Sequence, residues 1–277
     1  MGSMREIVGM GAVYHALPGS NGPPTLAAVP TVSIITPAFD ATPFLEETIR
    51  SVQAQTFPDW EMIVVDDASR DGTAEIVGGC AASDPRIRLV RQTHRQGPAA
   101  ARNRALAEAR APYVAFLDSD DLWRPEKLEV QLGFMRETGA VFSFASYSLI
   151  DESGAPLGRT VRAPDRVDYR FLLRNTIIGC LTVMLDINRL GPVRMPHLRQ
   201  HEDLSLWYEL LKRGVVARGI PRDLAFYRVV RRSASRNKLR SALHMWSVYR
   251  VQEGLSVPSA LWYYAQYAWN ACRKNPI

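Results

Sequence analysis

Val32-Ser33-Ile34-Ile35-Thr36, stopped by Pro37 and continued as Ala38-Phe39-Asp40, is the stretch from which the fold can be read. A short β-branched run halted by proline predicts a strand. Phe44, Leu45, Thr48, Ile49 and Val52 then recur at helical spacing, completing one strand-helix unit. Trp60-Glu61-Met62-Ile63-Val64-Val65 predicts a second buried strand; it runs into Asp66-Asp67-Ala68-Ser69-Arg70-Asp71-Gly72-Thr73 and a helix from Ala74. Ile87-Arg88-Leu89-Val90 predicts a third strand, followed by an Ala-rich helix from Pro98 to Ala109. Tyr113-Val114-Ala115-Phe116-Leu117 predicts a fourth, ending abruptly in Asp118-Ser119-Asp120-Asp121. Such alternation means an α/β fold with a mostly parallel sheet covered by helices on both faces.

The flanks are less regular. Val141–Ile150 is aromatic and Ser-rich and reads as a strand, whereas Thr176–Leu185 is apolar without a decisive period and fits a strand or a buried helix. Leu204, Trp207, Tyr208 and Leu211 form one helical stripe from His201 onward, closed by Lys212-Arg213-Gly214. Residues 1–30 are rich in Gly, Pro and Ala and are expected to be a flexible leader, with Met1-Gly2-Ser3-Met4 resembling an expression remnant.

Composition removes several classes. With 277 residues, 47% hydrophobic and 22% charged, the chain is ordinary globular material, not disordered, collagen-like or coiled-coil. Cys80, Cys180 and Cys272 lie far apart without metal-ligand spacing, so neither a disulfide framework nor structural zinc is expected, and a reducing cytoplasmic compartment fits. No apolar run approaches the roughly 20 residues of a spanning helix, and no signal-peptide core is present. The net charge of +6 divides unevenly: residues 222–277 carry ten basic and two acidic side chains, and residues 1–221 sum to −2.

In open α/β sheets, ligands bind at the carboxyl ends of the strands. Asp40, Asp66, Asp67, Asp118, Asp120 and Asp121 all follow predicted strands there. A single aspartate at a strand end is ordinary turn chemistry. Carboxylates gathered at one edge repel one another unless a cation neutralises them, and a hard divalent ion shared with substrate phosphates, Mn²⁺ or Mg²⁺, suits that set.

Read in order, these residues resemble a known family. Val32–Asp40, Ser51-Val52 with Gln55-Thr56, Val65-Asp66-Asp67-Ala68-Ser69 with Asp71-Gly72-Thr73, Gly97–Asn103, Phe116–Asp121 and His201-Glu202-Asp203-Leu204 with Trp207 are similar to the successive motifs of family 2 glycosyltransferases with the GT-A fold, of the bacterial cell-surface polysaccharide type. The resemblance runs from about Val32 to about Ser235. It implies a Rossmann-like catalytic domain over 31–235, with a nucleotide-binding half (31–123) and an acceptor half (124–235), extended by a basic aromatic helical segment, 236–277. It further implies inverting transfer of a sugar from a nucleotide diphosphate, a UDP-sugar, to a glycan or polyprenyl-linked acceptor. On this resemblance Pro37, Phe39 and Asp67 form the base and ribose pocket, with Asp40 where the family usually has Asn. Arg102 faces the nucleotide. Asp118 and Asp120 form the DxD motif, Asp120 being the direct metal ligand and Asp118 lying nearer the ribose or sugar. Asp203, paired with Glu202, is the general base, and its place at a helix start is expected to keep it ionised. Tyr227-Arg228-Val229-Val230-Arg231-Arg232-Ser233 departs from the pattern, because Val230 stands where a histidine commonly completes the metal or diphosphate site. Arg228, Arg231 or Arg232 is expected to neutralise the diphosphate instead, with looser metal dependence.

Two other classes compete. A nucleotidyltransferase acting on sugar phosphates would use the same sheet and metal, but it needs a Gly-rich phosphate loop after the first strand, and Thr36–Pro43 offers none. A non-catalytic anionic-ligand binder could use the basic segment, yet the acidic edge would repel nucleic acid. Leu239, Leu243, Trp246 and Tyr249, then Trp262, Tyr263, Tyr264, Tyr267 and Trp269, give the segment aromatic helical faces. Those faces suit peripheral membrane contact, packing on the catalytic domain or a homodimer.

Overall fold

Strands β1 (Val32–Ala38) and β2 (Trp60–Asp66) are buried at every position, as befits mainly apolar central parallel strands, and the buried Ser33 hydroxyl donates to Glu61 Oε1 at 2.7 Å between them. The computed structural model describes residues 29–196, 201–230 and 245–274, the last with side chains to Asn270; the expected leader lies outside these except for Val29 and Pro30. Helix α1 (Leu45–Gln53) follows β1, α2 (Thr73–Ser83) follows β2, and α3 (Pro98–Glu108) joins β3 (Ile87–Arg91) to β4 (Tyr113–Phe116). After β4 come β5 (Leu122–Trp123), α4 (Lys127–Thr138), β6 (Phe142–Ile150), β7 (Pro156–Val161), β8 (Arg166–Val167), α5 (Tyr169–Arg174), β9 (Met184–Asp186), α6 (Ile187–Leu190), α7 (Glu202–Lys212) and β10 (Ala217–Arg228). Helix α8 (Val257–Lys274) closes the described chain.

The strands form one mixed sheet in the order β3-β2-β1-β4-β9-β6-β10-β5, with β7 on β6 and β8 on β10. β1 pairs in parallel with both β2 and β4, and β2 with β3. The chain therefore walks outward from β1 through β2 to β3 and returns to β4 on the other side of β1. Such a reversal opens a crevice at the carboxyl ends of β1 and β4, between the loop 39–44 and the acidic loop 117–121.

Each face of the sheet is covered. Val32, Ile34, Met62 and Val64 pack with Leu45, Ile49, Val77 and Leu128 on one side. Ile35, Ile63 and Val65 pack with Ala101, Ala105, Trp207 and Tyr208 on the other. Trp207 of α7 meets Phe116 edge-on at 5.7 Å and Phe142 at 5.1 Å, so the helix carrying Glu202 and Asp203 is anchored directly onto β4 and β6. Full burial of side chains of this size is worth about 1.5–3 kcal/mol each, which makes the placement of α7 rigid.

Two expectations change. Thr176–Leu185 is neither one strand nor a helix: a 3-10 turn at Cys180–Thr182 precedes the three-residue β9. The turn is closed by Thr182 Oγ1 donating to the Gly179 carbonyl at 2.7 Å, and its apolar side chains fill the floor between β4 and β6. The charge division at Arg222 also falls inside the sheet, since Arg222–Arg228 belong to the twelve-residue β10, which runs beside β6. Register shifts between Ile220 and Asp223, and again before Ala225, break the two-residue alternation that would have revealed this strand.

The described part of the C-terminal segment is continuous with the domain. Met245, Val248, Tyr249 and Ala260 are buried in the same core as α7, and the Tyr249 hydroxyl donates to the Leu173 carbonyl at 2.6 Å. Leu239 and Leu243 lie outside the described residues. Among the described residues no helix is long and apolar enough to cross a membrane.

Candidate active site

The crevice predicted by the strand order holds a cavity of about 580 Å³ lined by Pro37, Phe39, Asp40, Asp67, Arg102, Asp118, Asp120 and Val230, among others. Residues up to 193 positions apart in the chain thus face one space, and all six expected nucleotide-site residues and both expected DxD acids are among them. A larger hollow of about 920 Å³ lies across α3, lined by Arg91, Arg104 and Arg194 with several carboxamides, but it holds no carboxylate. The acids, not the volume, locate the chemistry.

Asp67 is fixed before any ligand arrives. Its Oδ1 accepts from the Gln96 backbone N–H at 2.7 Å and from Gln92 Nε2 at 3.1 Å, and its Oδ2 accepts from the Gly97 N–H at 2.7 Å. Gly97 makes this possible with a φ of 92°, a left-handed conformation that glycine adopts without strain. Asp40 Oδ1 accepts from the Arg70 N–H at 3.0 Å, tying the β1 loop to the β2 loop. The Arg95 guanidinium sits 3.6 Å above the Phe39 ring and closes one wall of the cavity. Asp40, Ala68 and His201 are the described non-glycine residues with positive φ, and they lie at the β1 loop, the β2 loop and the entry to α7. Backbone strain of this kind gathers where side chains are held for function.

Arg102 is the hub of the site. Only 6% exposed, it donates from Nη1 to Glu202 Oε1 at 2.7 Å and from Nη2 to Asp118 Oδ1, so one guanidinium joins the DxD loop to the start of α7. Glu202 and Asp203 do not themselves line the cavity. Burial pushes both carboxyls above the usual range, while the nearby Arg102 charge opposes the rise. For Asp203 desolvation outweighs the stabilisation that the helix start offers the charged form, and a raised pKa suits a group that must accept a proton.

Arg228 requires the largest correction. It was expected to reach the diphosphate, but it is 2% exposed and its donors are engaged elsewhere. Nη2 donates to Glu47 Oε2 at 2.6 Å, Nε to the Asp120 carbonyl at 2.8 Å and Nη1 to the Glu152 carbonyl at 3.2 Å, while its backbone N–H donates to Asp121 Oδ1 at 2.8 Å. Arg228 therefore braces the acidic loop from beneath. Arg231 and Arg232 lie outside the described residues. Val230, in the usual histidine position, lines the cavity beside Asp120.

A divalent cation fits the residues present. Burial, with the Asp118 charge next, pushes Asp120 up to about 6, and Asp121 beside it is pushed well above the carboxylate range for the same reasons. These are hard oxygen donors whose burial and mutual repulsion outweigh the nearby Arg228 and Arg102 charges. Among the described residues no cluster of three or more ligating side chains exists, so an ion here would complete its shell with substrate oxygens and water. Because Asp120 ionises near 3.8 when unfolded and about 6 when folded, stability falls as pH rises through that window. Asp120→Asn is therefore expected to stabilise the metal-free protein at pH 7.5 by about 1–3 kcal/mol, by the free energy of a one- to two-unit shift. It should also abolish the tightening of UDP binding by Mn²⁺, read by calorimetry. Unchanged Mn²⁺ coupling in the variant would refute the assignment.

Sequence reasoning missed Gln92, Arg95 and Gln96 around the nucleotide end and Glu47 and Thr48 behind the acidic loop. Glu47 and Thr48 read only as positions on α1. Their reach to Arg228 and to the Asp121 carbonyl, at 2.6 and 2.9 Å, depends on how α1 docks.

Comparison with known proteins gives the family and the fold. Residues 33–237 match the family described as Glycosyl transferase family 2. A Bacillus subtilis glycosyltransferase named for teichuronic acid biosynthesis, TuaG, is 47% identical over 246 residues, covering 89% of this chain and 98% of the relative. Escherichia coli WfgD, named a UDP-Glc:α-D-GlcNAc-diphosphoundecaprenol β-1,3-glucosyltransferase, is 38% identical over 218 residues, covering 78% of this chain and 84% of the relative. The structure of Staphylococcus aureus TarS with UDP-GlcNAc superposes with a TM-score of 0.66 at 19% identity, covering 88% of this chain and 73% of that one, and so shares the fold.

Proposed function

The chain belongs to glycosyl transferase family 2, and from that premise we propose that it moves a sugar from a UDP-sugar, with inversion, to a lipid-linked glycan in cell-surface polysaccharide assembly. The convergence of the β1, β2 and β4 loops on one acidic cavity, with Arg102 bridging to α7, carries the reading of the site. The names of TuaG and WfgD support the polysaccharide context and the lipid-diphosphate acceptor.

Pro37, Phe39 and the pre-oriented Asp67 receive the base, with one acceptor site left on Asp67 Oδ2 for a donor N–H of uracil. Asp118 and Asp40 line the ribose and sugar end. Asp120, with Asp118, would hold Mn²⁺ or Mg²⁺, which when bound supplies positive charge against the departing diphosphate. Arg231 and Arg232 are assigned to the same phosphates. Asp203 accepts the proton of the acceptor hydroxyl as that oxygen bonds to the anomeric carbon, and the carbon–oxygen bond to the diphosphate breaks with its electron pair leaving on the phosphate oxygen. Attack from the side opposite the leaving group inverts the centre, and one carboxylate suffices because no covalent intermediate forms.

Thermal shift against UDP-glucose, UDP-GlcNAc and GDP-mannose, each with Mn²⁺, tests the donor. A UDP-sugar is expected to raise Tm by several degrees through preferential binding to the folded state. Stabilisation by GDP-mannose alone would reject the uridine assignment.

A further inference from the structure

Helix α8 keeps a wide apolar face in water. Ala260 is buried, and Tyr263, Tyr264 and Tyr267 pack on the core that contains α5 and α7. Trp246 meets Tyr264 at 6.1 Å, and Asn270 Nδ2 donates to the Arg174 carbonyl of α5 at 3.0 Å. The opposite side exposes Val257 (47%), Leu261 (55%), Trp262 (66%) and Trp269 (65%), with Pro258 and Ala265 exposed on the same stripe. Positions 258, 261, 262, 265 and 269 recur three and four residues apart, so they form one face. The indoles stand two turns apart along it, roughly 10 Å.

A water-facing helical surface ordinarily carries charge, and apolar area left in water forgoes about 25 cal/mol per Å². Here the charge beside the stripe is mainly basic, with Asp168 at the start of α5 the one acid that the α5 turn exposes among it. Arg170 and Arg174 are exposed on α5, the helix against which α8 packs, and Arg273 and Lys274 occupy the last turn of α8 in the sequence. No acidic residue follows Glu253. Indoles flanked by cations match the headgroup layer of an anionic bilayer, where amphipathic rings settle and basic side chains meet lipid phosphate. A second copy of the chain fits less well, because a two-fold axis through this face would bring its arginines toward their own copies.

We propose that the outer face of α8 seats in the headgroup layer of an anionic membrane, anchored by Trp262 and Trp269 and oriented by Arg170 and Arg174. The anchor is rigidly tied to the chemistry. Glu253, just before α8, accepts from the Tyr169 hydroxyl at 2.6 Å and pairs with Lys212 at 3.0 Å, and Lys212 ends the helix that Glu202 and Asp203 begin. Docking α8 would thus hold the candidate base at a set height above the lipid, as a lipid-borne acceptor requires. Only that last step rests on the proposed transfer; attachment to lipid does not.

Flotation of the full chain with vesicles of phosphatidylcholine, with and without phosphatidylglycerol, tests it against Trp262→Ser/Trp269→Ser and Arg170→Gln/Arg174→Gln. The full chain is expected to float with the phosphatidylglycerol vesicles and to shift its indole emission to the blue. The serine pair should lose binding by about tenfold or more, as removal of two interfacial rings demands. The glutamine pair should lose the salt-sensitive part of binding, since that part is surface-charge attraction. All four side chains are exposed, and a melt of each variant checks that the fold is retained before its binding is compared. Equal flotation of parent and serine pair would overturn the proposal, as would a parent dimer in light scattering that the serine pair dissociates while neither floats. Loss of transfer activity in a protein that still floats would count against the enzymatic assignment and leave the membrane face standing.

Discussion

Asp203→Asn is expected to lower kcat by about 10²–10⁴-fold, the usual contribution of a positioned general base, with donor affinity within about twofold of the parent. The substitution preserves shape while removing the proton acceptor. Asp203 lies outside the donor cavity, so the nucleotide pocket should not register the change. Glu202→Gln provides the contrast, because Glu202 is committed to Arg102 at 2.7 Å and acts through it. Its loss should fall on donor affinity and stability more than on turnover. Steady-state kinetics with calorimetric donor titration separates the two acids. Full turnover in Asp203→Asn, with collapse in Glu202→Gln, would reverse their roles.

Arg102→Met should have the largest effect on stability and a distinct signature on pH. The guanidinium is 6% exposed between Glu202 and Asp118, and its removal leaves carboxylates without their countercharge. Breaking a buried pair in this way costs about 3–5 kcal/mol. In a domain of this size that lowers Tm by of order 10 °C. Arg102 also holds Glu202 and Asp203 below the values burial alone would give them. Without it the carboxyls should titrate at higher pH, moving the acid limb of kcat upward. Arg102→Lys keeps a charge but loses the two-armed geometry, so it should restore part of the pH profile and little of the stability. An unchanged acid limb in Arg102→Met would show that the arginine is structural only.

Much of this was legible before the chain was folded in space. The β1–β4 alternation was readable because buried parallel strands are continuous apolar runs and their helices keep a regular period. The acids were readable because strand ends carry them, and the order of motifs matched a family. Other features were not local. Arg228 followed a tyrosine in a recognisable motif, yet whether it meets a diphosphate or braces a loop depends on Glu47, 181 positions away. β10 was hidden by its bulges, and with it the fact that Arg222–Arg228 belong to the sheet. The aromatics of α8 gave the same composition whichever way they faced; packing turned Tyr263, Tyr264 and Tyr267 inward and left Trp262 and Trp269 in water.

By itself, then, the sequence determined the fold class, the strand ends that carry chemistry and the family, because these rest on periodicity and on motifs within a few residues of one another. Tertiary structure decided which charges are spent inside the protein and which remain for a ligand or a membrane. A guanidinium or an indole is the same group in every setting, and only its neighbours across the fold determine whether it is paired, desolvated or exposed.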